Sequence, residues 1–413
     1  SYTGEFTSRL KPSYRTYNIM NSQDQMAVYQ ELAQKGYLNY AEIANASSSG
    51  VYGKMYQLIT EYDKTSGQFG LTNTDEAKAA YLRGAEYRNT NWFDRLFSSA
   101  IMHNHSVSLS AGTDKAQHYV SASAMFDPGW YKQSEVQRFT ANLNSTFKIS
   151  KKLEFNLISN ASYRKQKAPG TLGSETDAVS GEVKRDFDIN PYSYSMNTSR
   201  TLSPNEYYTR NYAPFNIFNE LENNYMKLGV TDFRLTGRLT YKPISKLELS
   251  ILAGMQSTTT SQEHYITDNS NQAQAYRAMP TSTIREKNPL LYTDPDNIYA
   301  LPISILPNGG IYERTDRNMF KWDMRASISY NDVFNDDHIV NFYGGMETNS
   351  VDRHSTWFRG WGLQYTMGEV PNYAYQVFKK GQEDNSEYYN LTNKQERSAA
   401  FFGNATYSYQ GKY

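Results

Sequence analysis

The sequence predicts an all-β fold: a transmembrane antiparallel β-barrel, with about ten strands present in this chain and long extracellular loops that carry short helices. Two observations lead there. Apolar and polar residues alternate with a period of two in segment after segment, as in strands with one face in an apolar medium and the other in a wet one. The connections between these segments alternate between tight turns and very long loops, so nearly all the long loops fall at one end of the sheet, as in transmembrane barrels. Composition agrees: of 413 residues 15% are aromatic, with 36 Tyr, while the hydrophobic fraction is 38% and mean hydropathy −0.73. Aromatic surface is abundant and aliphatic core material is not.

Taken in order, SYTGEFTSRL at the start is the first strand. In the second, Val107, Leu109 and Ala111 alternate with Ser106, Ser108 and Ser110, and in the third Val120, Ala122, Ala124 and Phe126 oppose Tyr119, Ser121 and Ser123. The fourth sets Phe139, Leu143 and Phe147 against Arg138, Asn142 and Asn144; the fifth sets Phe155 and Leu157 against Glu154, Asn156 and Asn160. DFRLTGRLTYK, the sixth, carries Phe233, Leu235 and Leu239 opposite Arg234, Arg238 and Lys242, and SKLELSILAGMQ is the seventh. FKWDMRASISY, the eighth, is the clearest, with Phe320, Trp322, Met324, Ala326 and Ile328 against Lys321, Asp323, Arg325 and Ser327. IVNFYGGMETN and AAFFGNATYSY complete the set as ninth and tenth.

GTDK, SKK, KPISK and NDVFNDD join strands pairwise as polar hairpin turns. The remaining connections, except the short DPGWYKQ, run roughly from Lys11 to Ala100, Lys167 to Leu228, Thr258 to Tyr312 and Asp352 to Gln395. A soluble sandwich also alternates, but loops beyond about 15 residues are uncommon in compact domains. Within the first long loop, SQDQMAVYQELAQKGY predicts a helix with Ser22 as N-cap and Gly36 as stop. TDEAKAAYLRGA and WFDRLF predict shorter helices, packed on the rim and not in a core of their own.

The two faces must meet different media. A charge at mid-bilayer costs about 2 to 4 kcal/mol for Arg or Lys, so the charged face lines a wet or protein-filled lumen. Lumen-facing are Arg138, Asn142, Asn144, Glu154, Arg234, Arg238, Lys321, Asp323 and Arg325. Lipid-facing are Phe139, Leu143, Phe147, Phe155, Leu157, Leu235, Leu239, Phe320, Trp322, Met324 and Ile328. No run reaches the eighteen or so apolar residues of a membrane helix, and SYTGEFTSRL has neither an initiator Met nor an apolar leader core, so the chain reads as an internal piece of a longer protein.

Lysine plus arginine equals aspartate plus glutamate, 42 each, so no global field favours nucleic acid. With no cysteine there is no thiolate ligand or nucleophile. HNH at 103–105 puts two imidazoles on one side of a strand but lacks a third ligand, which favours rim histidines over a metal pair. TDPDN and NDD miss the full calcium-loop spacing and read as turn formers; calcium in the loops or a lid has no complete motif behind it. Phosphate-loop, nucleophile-elbow and zinc-helix motifs are absent, so no catalytic residue, metal site or cofactor is assigned and the reading is not an enzyme. Candidate ligand contacts lie in two aromatic segments taken as long loops: WFRGWG, with Trp357, Phe358, Arg359 and Trp361, and NPYSYSM, with Tyr192 and Tyr194. Flat rings beside polar groups suit sugars and peptides; the competing role is packing of loops or an interfacial girdle.

NTNWFDRLFSSAIMHNHSVSLSAGTDKAQHYVSASAMFDPGW, followed by VQRFTANLNSTFKISKKLEFNLISNASY, resembles the SusC/RagA family of TonB-dependent outer-membrane transporters of Bacteroidota. The W-F-D-x-L-F helix before a strand, the S-x-S-x-S-x-G-[ST] strand and the R-[FY]-[ST]-x-x-x-N-[LI] strand carry the likeness. AAFFGNATYSYQGKY is similar to the family's F-F-[GA]-x-x-x-Y-x-[YF]-x-x-[KR]-Y segment. The resemblance implies a 22-stranded barrel filled by a plug, TonB as energy source through a segment absent here, and a SusD-like surface lipoprotein as lid. It also implies import of a glycan or peptide nutrient, with residues 1–413 as the N-terminal portion of the barrel and the plug and C-terminal strands outside this chain. A passive porin and a soluble or surface β-rich adhesin are the alternatives.

Overall fold

A computed structural model describes residues 1–170, 175–176, 183–184, 187, 189–297, 299–335, 337–386 and 388–410. Ten long strands run in it: β1 Tyr2–Arg9, β2 Ala100–Gly112, β3 Ala116–Asp127, β4 Glu135–Ser150, β5 Leu153–Pro169, β6 Asn224–Ile244, β7 Leu247–Ile266, β8 Gly310–Phe334, β9 His338–Gln364 and β10 Tyr389–Tyr409. Each pairs antiparallel with its neighbour in sequence, making one continuous sheet to which Val370–Pro371 adds a short strand at the end of β9. The sheet is open: among the described residues β1 pairs only with β2 and β10 only with β9.

The turns are tighter than the sequence suggests, because the strands run further into them. Only Thr113–Lys115, Lys151–Lys152 and Ser245–Lys246 separate the first three hairpins, and β8 continues to Phe334. Asp336 of the NDD cluster, and Gly411 to Tyr413 of the closing segment, lie outside the described residues. In TDPDN, Asp294 Oδ1 accepts the Asp296 N–H at 3.1 Å and Asn297 Oδ1 the Tyr299 N–H at 3.1 Å, the turn-forming role expected of it.

Register makes the alternation coherent across the whole sheet. Phe147, Phe155, Leu239, Ile251, Ala326, Met346 and Phe401 stand opposite one another on seven successive strands. One residue along, the row is Thr146, Asn156, Arg238, Leu252, Arg325, Glu347 and Ala400. Directly opposed residues share a face, so the apolar residues singled out in β4 to β8 lie on one side and the charged ones on the other. The apolar side is the bare one: Ile251 is 45%, Phe320 48% and Phe401 82% exposed. Along β7, Ile251, Ala253 and Met255 are exposed while Ser250, Leu252, Gly254 and Gln256 are half-buried, so the sheet shields its polar side.

Burial of large apolar side chains happens mostly in the connections, with Ile266 and Ile311 buried at the loop ends of β7 and β8. Helices α1 (Ser22–Gln34), α2 (Val51–Thr60) and α3 (Asp75–Arg88) close around Met26, Val51, Met55 and Ala85. Helix α4 (Trp92–Leu96) buries Trp92, Phe93 and Leu96 against Ile189, Ile217 and Leu221 from the β5 to β6 connection. The helices therefore have a core of their own, contrary to the expectation of mere rim packing, because a sheet that turns its apolar side outward offers them none. Helix α3, at 14 residues, is longer than the 13-residue α1.

Helix α1 is also capped differently from the expectation. Asn21 is the N-cap, accepting the Asp24 N–H at 2.9 Å, whereas Ser22 is buried, donating to the Glu86 carbonyl at 2.6 Å and accepting the Asn89 N–H at 3.0 Å. That hydroxyl ties α1 to the end of α3. Gly36, at φ +83°, ends α1 as expected. No helix among the described residues is long and apolar enough to cross a membrane.

Candidate ligand-binding site at the loop end of the sheet

β8 has 25 residues and β9 has 27. At about 3.3 Å per residue they are roughly 80 and 90 Å long, whereas a hydrocarbon core is about 30 Å thick. The outward apolar run of β8 spans only Phe320 to Tyr330; before it, the same face carries Arg314, Asp316 and Asn318. WFRGWG belongs to this extension of β9 and is strand, not loop.

The alternation puts Trp357, Arg359 and Trp361 on the polar face. Arg359 lies 5.3 Å from the Trp357 ring and 5.8 Å from the Trp361 ring, and donates to Glu313 at 2.7 Å. Cation–π contact and ion pair together hold the guanidinium plane between two indoles. Trp361 meets the Tyr276 ring edge-on at 5.2 Å. Behind Arg359 a polar row crosses four strands: Asn224 on β6, His264 on β7, Glu313 on β8 and Arg359 on β9. His264 Nε2 and Asn224 Oδ1 are 2.7 Å apart, and His264 Nδ1 is 3.9 Å from Glu313. Burial pushes His264 below its ordinary pKa, with Glu313 opposing that shift. The row continues to Glu220, fully buried in α6 (Ile217–Asn223), which accepts from Asn224 Nδ2 at 3.1 Å and the Asn271 N–H at 2.5 Å.

A cavity of about 880 Å³ opens beside this row, lined by Phe358, Arg359, Trp361, Tyr276, Lys380 and Tyr388 among others. It is within the size range of ligand pockets and combines rings with a few charged groups. The structure thus brings together Phe358, Arg359 and Trp361, while Trp357 braces Arg359 without lining the cavity. Tyr276, Lys380 and Tyr388 were missed; Tyr276 and Lys380 lie in helical or irregular segments with no strand period, and only local aromatic and cationic content marks them.

Tyr192 and Tyr194 are elsewhere. Both are on α5 (Pro191–Asn197) in the core around α4. Tyr192 packs between Phe93, at 5.7 Å, and Trp130, at 6.1 Å, with its hydroxyl bonded to that of Tyr17. Tyr194 stands edge-on to Trp92 at 5.2 Å, and burial raises its pKa. Tyr194 lines a second cavity, of about 320 Å³, with Arg210 and Phe215. Both rings thus pack against the core around α4, and neither lines the cavity beside Arg359. His103 and His105 sit on the apolar face with ring nitrogens 3.1 Å apart, and His105 Nδ1 bonds the Tyr2 hydroxyl at 2.7 Å. No group of three or more potential metal ligands occurs among the described residues.

No protein-family model matches the chain. Two characterised relatives do: TonB-dependent receptor P26 of Formosa agariphila, 28% identical over 126 residues, and TonB-dependent receptor SusC of Bacteroides thetaiotaomicron, 31% identical over 97 residues. The matches cover 28% and 22% of this chain and 12% and 10% of those relatives. Among solved structures, the RagAB peptide transporter superposes with a TM-score of 0.63 at 12% identity, over 99% of this chain and 40% of that one. The RagAB peptide importer in its open-open state gives 0.58 at 13% identity, again over 99% of this chain and 40% of that one. An antiparallel sheet with its apolar side bare, the two partial sequence matches and a superposition over 99% of this chain agree: the chain is similar to TonB-dependent receptors of the SusC kind and shares its fold with part of the RagAB transporter.

Proposed function

We propose that this chain forms part of the wall of an outer-membrane barrel that imports a nutrient oligomer, a peptide or a glycan, in a TonB-dependent manner. The observation that carries the reading is the inverted sheet, with a belt of exposed Phe, Leu, Ile, Met and Trp on one face and Arg, Lys, Asp, Glu and Asn on the other. In water such a belt would be a contiguous apolar patch far larger than soluble proteins tolerate. In a bilayer it is the required surface, and the rows Phe139 to Phe147 and Phe320 to Ile328 face lipid while Arg138, Arg234, Arg238 and Arg325 face the lumen. Strands of the length of β8 and β9 then carry the wall beyond the membrane, where the helical loops stand as a platform for a SusD-like lipoprotein. The cavity around Arg359 and Trp361 contributes to ligand capture on that outer side.

The test uses the intact transporter in its native host. Deletion should abolish growth on one class of oligopeptide or oligosaccharide, and loss of TonB should reproduce the defect. Detergent extraction of the outer membrane should bring down a lipoprotein with it. Uptake that persists without TonB would replace this reading with passive diffusion, and water-soluble purification would replace it with an adhesin.

A further inference from the structure

We infer that the polar face holds a second binding site, an oxyanion pocket just above the membrane belt, which takes a carboxylate or sulfate group of an incoming ligand. The inference rests on the import reading for the ligand's route, and on the pocket's own chemistry for its class. The cavity, about 420 Å³, is lined by Arg317, Arg353 and Lys394 with the hydroxyls of Thr260, Ser355 and Thr392. Register explains the convergence. Thr260, Arg317, Ser355 and Thr392 are directly opposed on β7 to β10, and Met319, Arg353 and Lys394 form the adjacent row on the same face.

Three cations thus share one recess, and their counterions do not balance them. Arg353 donates to Glu396 at 2.6 Å. Asp232, at the pocket's edge, is engaged by Thr258 at 2.5 Å and Gln256 at 2.8 Å. Arg317 and Lys394 have no ion-pair or hydrogen-bond partner among the described residues. An arriving oxyanion would gain charge-assisted hydrogen bonds from a guanidinium and an ammonium, supplemented by hydroxyl donors. It would also relieve like-charge crowding that the described residues leave uncompensated. The pocket lies on the polar face below the Arg359 cavity, over Arg317 to Met319 of β8 and so directly before the belt begins at Phe320, and a ligand admitted from the loop side meets it next.

The experiment measures calorimetric binding to the full-length transporter in detergent. Tetraglutamate and tetragalacturonate are compared with tetraglutamine and maltotetraose as uncharged counterparts, in wild type and in the double variant Arg317→Gln, Lys394→Gln. One acidic probe should bind at least about tenfold more tightly than its counterpart, a difference of about 1.4 kcal/mol, and the double variant should lose that preference while keeping its affinity for the uncharged probe. Preference for tetraglutamate assigns the anion to a peptide carboxylate, and preference for tetragalacturonate to a uronate. Equal binding of acidic and uncharged probes overturns the pocket, as does a preference that survives both substitutions or an effect of free sulfate alone. Uptake that persists without TonB, with the preference intact, would sink the import reading and leave the pocket standing.

Discussion

The facing of the sheet can be tested by moving one charge by one residue. Ala326 lies near the middle of the Phe320 to Tyr330 belt, between Ile251 on β7 and Met346 on β9. Ser327 lies on the opposite face between Ser250 and Gly345, with the Phe402 ring over the glycine. Ala326→Arg would put a guanidinium into hydrocarbon near its midplane, costing about 2 to 4 kcal/mol, or roughly 30- to 900-fold in the folding equilibrium. Ser327→Arg keeps its charge wet. Its cost is repulsion from Arg325 two residues away, itself held by Glu347 at 2.6 Å, and stays below about 1 kcal/mol. The measurement is urea-dependent folding of the full-length barrel into phosphatidylcholine vesicles, read by the heat-modifiable mobility of the folded form, with outer-membrane abundance in cells as a second readout. Equal penalties for the two variants, or a larger one for Ser327→Arg, would refute the assignment of faces.

Three further outcomes follow from the loop layer. Trp92 is fully buried and its indole N–H donates to the Ser199 carbonyl at 3.0 Å, so Trp92→Ala should cost about 3 to 5 kcal/mol locally and open the loops to protease while the strands stay protected; unchanged digestion would remove α4 from its role as keystone. A Cβ on Gly170 would overlap Asn224 Oδ1 and His264 Nε2, so Gly170→Ala should break the 2.7 Å bond between them and lower the stability of the loop layer by about 1 to 3 kcal/mol, seen as a lower denaturation midpoint; an unaltered midpoint would show that the polar row is slack. Burial raises the pKa of Glu220, with the Asn271 N–H opposing that shift, so the folded state holds a proton that the unfolded chain releases. Stability of the loop layer should accordingly be greatest below the unfolded value of 4.5 and fall as pH rises through the folded pKa. Glu220→Gln should flatten this dependence in pulse proteolysis, and an identical slope in the variant would count against the buried carboxyl as its source.

What could be read from the sequence follows the membrane itself. Where the two faces of a strand meet different media, as from Phe139 to Phe147 or Phe320 to Ile328, composition alternates and strand, face and register partner are all legible. Beyond the apolar run Gly310 to Met319 and Val351 to Gln364 lose the apolar period although their backbone ladder continues, with one irregularity opposite Gly362 between Gly310 and Ile311. WFRGWG was read as loop for that reason. Its chemistry was visible in the residue types, but the stacking of Arg359 between Trp357 and Trp361 depends on a strand geometry that no pattern announced. Tyr192 and Tyr194 show the converse: aromatic clustering alone does not separate a ligand-facing ring from one that closes a core, since both need flat apolar area beside a hydrogen-bonding edge.

The same change of medium explains why both candidate sites lie where they do. Within the belt the charges of the polar face, such as Arg238, Asp323 and Arg325, are spaced by small residues and neutral amides such as Gly254, Ser327, Asn142 and Asn156. Above it the strands lose the obligation to present apolar surface outward, and longer charged and aromatic side chains occupy the polar face at close spacing: Arg317, Arg353 and Lys394 first, then His264, Glu313 and Arg359 with its two indoles. Each additional pair of residues along β8 and β9 carries this face about 7 Å further from the bilayer. Extending a strand therefore adds recognition surface in register with what lies below it, at the cost only of keeping the ladder paired. Under the proposed import reading, ligand selectivity belongs to the extended ends of β7 to β10 and the helices packed against them, and the apolar run below fixes position.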